Sequence, residues 1–71
     1  MPPVTKLFPR RLEVLEYLAQ GLSHGQIARK MQLSYNTVRS HTLYIRHFFG
    51  VHSNVDAVAK AREWDLLEGS Q

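Results

Sequence analysis

Three serines, Ser23, Ser34 and Ser53, punctuate a chain whose apolar residues otherwise recur at three- and four-residue steps, and no other feature restricts the possible folds so closely. A serine hydroxyl accepts a hydrogen bond from a free N–H in the first turn of a helix, so each of the three marks the start of a new helical segment. Ser23 and Gln26 form a capping box that opens a short helix over 24–31, with Ile27, Ala28 and Met31 on one face. Ser34 opens a longer helix over 35–49 that Gly50 stops, and Ser53 with Asp56 introduces another over 54–67. Upstream, Leu12, Leu15, Leu18 and Ala19 define a first helix over 9–20, with Pro9 suited to its first turn and Gly21 to its stop. No strand-like alternation extends beyond a few residues. The expectation is an all-α domain over 7–67 with Leu15, Leu18, Ile27, Leu33, Val38, Ile45 and Val58 in one core. A flexible segment over 1–6 precedes it and a frayed tail over 68–71 follows.

The 71 residues suffice for one small core and leave no material for a second, which disfavours a pocketed metabolic enzyme. With no cysteine, disulfides, thiolate zinc sites and thiol catalysis are excluded, and apolar packing alone must hold the fold. No apolar run reaches the roughly 20 residues that cross a bilayer, and Met1–Lys6 lacks the apolar stretch of a secretory signal. No helix pairs a large apolar face with a lysine-rich one, so membrane-surface binding is not expected either. The composition suits a reducing cytoplasm.

The net charge of +3 is unevenly spread. Between Glu16 and Asp56 there is no acidic residue, while Arg29, Lys30, Arg39, Arg46 and all four histidines fall inside that window. A polyanion is the natural partner of such a field, and a merely solvated basic face is the plainer alternative. His41 lies beside Ser40 and upstream of Asp56, but adjacent helical residues point about 100° apart and no second ligand stands at metal-binding spacing, so it is read as a packed structural histidine. Gly21 and Gly25 match no phosphate-loop spacing. No active site, cofactor or metal is expected.

A short helix, a tight turn at Gln32-Leu33 and a longer helix make a helix-turn-helix, in which the small Ala28 lets the two helices approach. From Leu7 to about Ala61 the chain resembles the LuxR/GerE-type DNA-binding domain. The resemblance runs through Pro9-Arg10, Glu13-Val14-Leu15, Ala19-Gln20-Gly21-Leu22-Ser23, Ile27-Ala28, Leu33-Ser34, Thr37-Val38, His41, Ile45, Gly50-Val51, Ser53, Ala57-Val58 and Ala61. It implies a four-helix helix-turn-helix domain with the third helix as recognition helix, and sequence-specific binding of double-stranded DNA as a transcriptional regulator or its output domain. Phe8 and Arg11 depart from the Thr-x-x-Glu box that usually opens the family's first helix. Gly25, Leu43, Phe48 and Asn54 stand where relatives often carry a cation, and each missing cation removes one possible phosphate contact.

Unrolling the third helix at 100° per residue puts Val38, Thr42, Ile45 and Phe49 inward, with His41 at their flank. Asn36, Arg39, Ser40, Leu43 and His47 lie opposite, with Arg46 and Tyr35 on one shoulder. Base reading is assigned to Asn36, Arg39, Ser40 and Leu43: an arginine fork matches guanine, an asparagine amide matches adenine, and leucine can meet only a thymine methyl. Phosphate contacts are assigned to Ser23, His24, Lys30, Tyr35, Thr37, Arg46 and His47. On the fourth helix, Ala57, Val58 and Ala61, near Trp64, form one apolar stripe, and Val55, Ala59, Arg62 and Leu66 form another. The resemblance implies that this helix supports a homodimer, with the second stripe as the seam, while scattered surface apolar residues are the plainer reading. A rival from another class keeps the fold without the DNA: an interaction module that contacts RNA polymerase or another regulator through Leu43, Tyr44 and Phe48.

Overall fold

The computed structural model describes residues 10–67, and the expectations for Pro9, for the segment 1–6 and for the tail 68–71 fall outside them. Four helices follow in order: α1 (Arg10–Ala19), α2 (His24–Met31), α3 (Tyr35–Phe49) and α4 (Asn54–Glu63), with no strand among the described residues. Each of the three serines caps its helix. At α2 the box is reciprocal: Gln26 N–H donates to Ser23 Oγ at 3.2 Å and Ser23 N–H donates to Gln26 Oε1 at 2.8 Å. Thr37 N–H donates to Ser34 Oγ, and Asp56 N–H to Ser53 Oγ, both at 3.0 Å.

The helices also end alike. Gly21, Gln32, Gly50 and Asp65 all take positive φ, at 89°, 57°, 69° and 58°. The next residue's N–H then reaches back five positions, as in Leu22 to Tyr17, Leu33 to Ala28, Val51 to Arg46 and Leu66 to Ala61. This is the Schellman closure, which satisfies late carbonyls and turns an apolar residue inward. Gln32 closes the helix-turn-helix corner without the glycine that relieves the Cβ clash at Gly21 and Gly50.

The fourth helix is shorter than its periodicity implies. Expected to reach 67, it stops at Glu63, because the left-handed Asp65 breaks the helical path and sends the chain back over the domain. Leu67 is thereby buried. Leu66 lies beyond the helix, partly buried against the core, so it is not the last member of a stripe with Val55, Ala59 and Arg62.

α3 packs against each of the other helices, and the core gathers around it. Leu15, Ile27, Val38 and Ile45 are fully buried as expected, with Val14, Ala28, Met31, Phe49, Ala57, Ala61 and Leu67 completing the core. Leu18, Leu33 and Val58, expected inside it, pack against its edge and stay partly exposed, because Val14, Met31 and Ala57 or Ala61 occupy the innermost positions of those elements. The inward stripe of α3 is Val38, Thr42, Ile45 and Phe49, as unrolled from the sequence. Thr42 is the one polar member; its hydroxyl donates to the Arg39 carbonyl at 2.8 Å, so no donor is left orphaned there.

Candidate nucleic-acid interface

Burying one stripe of α3 obliges the other to face solvent. Asn36, Arg39, Ser40, Leu43 and His47 are all exposed, on a helix that contains no carboxylate. α2 contains none either, and its own cations, Arg29 and Lys30, are exposed. An anion approaching this side therefore meets cations and neutral donors without a repelling acid on either helix.

The starts of α2 and α3 are joined by side chains. The His24 ring meets Tyr35 edge-on, with centroids 5.7 Å apart, which brings two expected phosphate contacts into one cluster. Tyr35 remains 55% exposed, enough for its hydroxyl to reach a ligand. His24 Nε2 lies 3.2 Å from Asn54 Nδ2. Ser23 is exposed, but its hydroxyl is occupied with Gln26 N–H. The Thr37 side chain is partly buried and accepts from Ser34 Oγ at 2.8 Å. Both backbone N–H groups are already given to the caps and both hydroxyls only accept in these bonds, so what either residue can still offer a phosphate is its hydroxyl hydrogen. Arg46 is partly buried on its shoulder, whereas Lys30 and His47 stand clear.

Other expected positions lie elsewhere. Val55, Ala59 and Arg62 are exposed on α4, Val55 to 78%, and line a groove of about 750 Å³ with Leu18 and Leu22. Phe48 is partly buried, edge-on to Phe49 at 5.0 Å and to Trp64 at 6.2 Å, so it belongs to an aromatic cluster between α3 and α4 rather than to the exposed pair Leu43 and Tyr44. His41 is partly buried, and burial first, then the charges of Arg11 and Arg10, hold its pKa below the usual histidine value. Among the described residues no group of histidine and carboxylate side chains could hold a metal ion.

One contact that sequence reasoning missed is the Arg11 guanidinium over the Tyr44 ring, 3.7 Å from its centroid. The pairing of His24 with Asn54, thirty residues apart, is another. Neither has a local signal, since periodicity reports which face a residue occupies and not which partner meets it. The unusual arginine at position 11 was the available hint.

Known proteins place this arrangement in a family. The family described as bacterial regulatory proteins, luxR family, matches residues 5–61. The chain is 39% identical over 64 residues to the Fimbriae Z protein of Escherichia coli K12, covering 90% of this chain and 30% of that protein. It is 35% identical over 66 residues to the oxygen regulatory protein NreC of Staphylococcus aureus JH9, covering 93% of this chain and 30% of that one. Among solved structures it is similar to the response regulator ChrA of a haem-sensing two-component system. There the TM-score is 0.84 at 37% identity, over 92% of this chain and 32% of that one. The chain thus spans about 30% of the length of the curated relatives it matches. A carboxylate-free outer face on the second helix of a helix-turn-helix, with a match over most of the chain, leads to one conclusion: this chain belongs to the luxR family of bacterial regulatory proteins, as its helix-turn-helix DNA-binding domain.

Proposed function

We propose that the chain reads double-stranded DNA by sequence, laying α3 in the major groove, as the output domain of a cytoplasmic transcriptional regulator. The observation that supports this best is the exposed, acid-free row Asn36, Arg39, Ser40, Leu43 and His47, backed by a fully buried Val38 and Ile45 that keep the helix from rotating. A major groove about 12 Å wide admits one helix, and only side chains on its outer face reach base edges. Arg39 takes guanine by its fork, Asn36 pairs with adenine, Ser40 hydrogen-bonds either, and Leu43 meets a thymine methyl. Ser23, His24, Lys30, Tyr35, Thr37, Arg46 and His47 hold phosphates and fix the register. Selection from a randomised duplex library tests the reading: a single enriched motif is expected, and unselective binding of every duplex would oppose it.

A homodimer through α4 is the assembly we propose, with Val55, Ala59 and Arg62 as the seam over the groove against α1. Glutamate at Ala59 then buries an unpaired charge, so Ala59→Glu shifts the mass measured by analytical ultracentrifugation toward monomer. Monomer in both proteins would sink the seam. A symmetric dimer prefers inverted half-sites with centres about 10 bp apart, because each α3 must enter the groove on one side of the duplex.

The second reading is an interaction module that contacts RNA polymerase or another regulator. It draws on the exposure of Leu43 and Tyr44, at 46% and 37%, and on the missing cations at Gly25, Leu43, Phe48 and Asn54. Phe48, engaged with Phe49 and Trp64, drops out of it. Absence of duplex binding at low salt would favour this reading.

A further inference from the structure

The flank of α3 that meets α1 ends in a cation with no ion pair among the described residues. Arg11, in the first turn of α1, lies over Tyr44, and its buried Nε has no hydrogen-bond partner among the described residues. A ring face attracts and orients a guanidinium but does not neutralise it. Arg10 stands exposed beside it, and the charges of both arginines reach His41 and favour its neutral form, so the positive field here is that of the two arginines. The acids of α1 turn away: at 100° per residue Glu16 lies about 140° and Glu13 about 200° from Arg11.

This cluster borders the outer face of α3. Tyr44 follows exposed Ser40 by four residues and precedes exposed His47 by three, so the three side chains are neighbours on the helix surface. Tyr35 and Arg46 mark the opposite flank, the one shared with α2. A helix lying in a major groove has a row of phosphates on each side of it, and the residues assigned above to phosphate serve chiefly the α2 side.

We propose that Arg10 and Arg11 form a second backbone-phosphate grip, seated on Tyr44, that holds the DNA strand across the groove from the one met by α2. It rests on the reading of α3 as the DNA-facing helix. The ring fixes the plane of the Arg11 fork in advance, and a planar fork suits two phosphate oxygens. A glutamate, the residue usual at this position in relatives, would repel that strand. Cations absent at Gly25, Leu43, Phe48 and Asn54 are thus replaced in part, in this chain, from α1.

The test compares the unmutated chain with the double variant Arg10→Gln, Arg11→Gln by fluorescence-anisotropy titration of selected and scrambled duplexes between 50 and 200 mM salt. Each lost phosphate contact lowers the slope of log affinity against log salt by about 0.9, so the variant's slope is expected to be shallower by about two. The affinity gap between the proteins then narrows roughly tenfold across that range. The preference for the selected duplex stays the same. An unchanged slope in a folded variant overturns the grip alone, whereas failure of the unmutated chain to bind any duplex overturns the DNA reading and the grip with it. If the variant loses its helical circular dichroism, the Arg11 Nε–H resonance of the unmutated chain decides: it shifts on addition of duplex at low salt if the grip exists, and stays fixed if it does not.

Discussion

Arg39→Ala weakens binding to the selected duplex by about 1–3 kcal/mol and relaxes preference at one base pair, because a bidentate guanine contact is lost together with a charge. Arg39 is exposed on the outer side of α3, one residue after fully buried Val38, so its removal leaves the core untouched. Lys30→Ala behaves differently. Lys30 is exposed near the end of α2, and as the phosphate contact proposed above its loss is expected to weaken all sequences by similar factors while lowering the salt slope by about one. Titration of selected and scrambled duplexes at several salt concentrations separates the two. Equal weakening of both duplexes by Arg39→Ala would make Arg39 a phosphate ligand and pass the specificity to Asn36 and Ser40.

Ile45→Ala costs about 2–5 kcal/mol of stability, the loss typical of truncating a fully buried Ile to alanine. Ile45 is 0% exposed on the helix that packs against all three others, so the cavity it leaves has walls on every side and little freedom to collapse. In a domain this small each kcal/mol lowers Tm by about 4–8 °C, and thermal denaturation followed by circular dichroism measures the shift. His52→Ala is the contrast: His52 is exposed between α3 and α4, and its truncation stays within about 0.5 kcal/mol. A small loss at Ile45 would mean that α3 is not the centre of the core.

What the residues disclose and what they hide divides along the range of the interaction. The starts of α2, α3 and α4 were legible because a serine cap acts over three residues, and the inward stripe of α3 because helical periodicity acts over four. Gly21 and Gly50 marked two helix ends by their freedom at positive φ. Gln32 and Asp65 make the same closure without glycine. Of these, Gln32 was placed correctly because Ser34 follows at once, whereas nothing just after Asp65 restarts a helix, and α4 was drawn too long. That error also put Leu66 on a helical seam it does not share. The outer face of α3 was legible by subtraction, as what remains once the core is assigned. Its flanks were not: Arg11 on Tyr44 and His24 on Asn54 are contacts between helices, decided by packing angles that no local pattern encodes.

The claim that α3 reads bases from the major groove is tested most directly by replacing each guanine of the selected site in turn with 7-deazaguanine. This removes the N7 acceptor, a major-groove feature, and leaves base pairing intact. At one guanine the unmutated chain should lose affinity, toward the 1–3 kcal/mol of a bidentate pair, while Arg39→Ala should lose nothing further at that position, since the partner is already gone. Full affinity of the unmutated chain at every substituted guanine, or an equal loss in both proteins, would contradict the assignment of α3 and Arg39 to base reading.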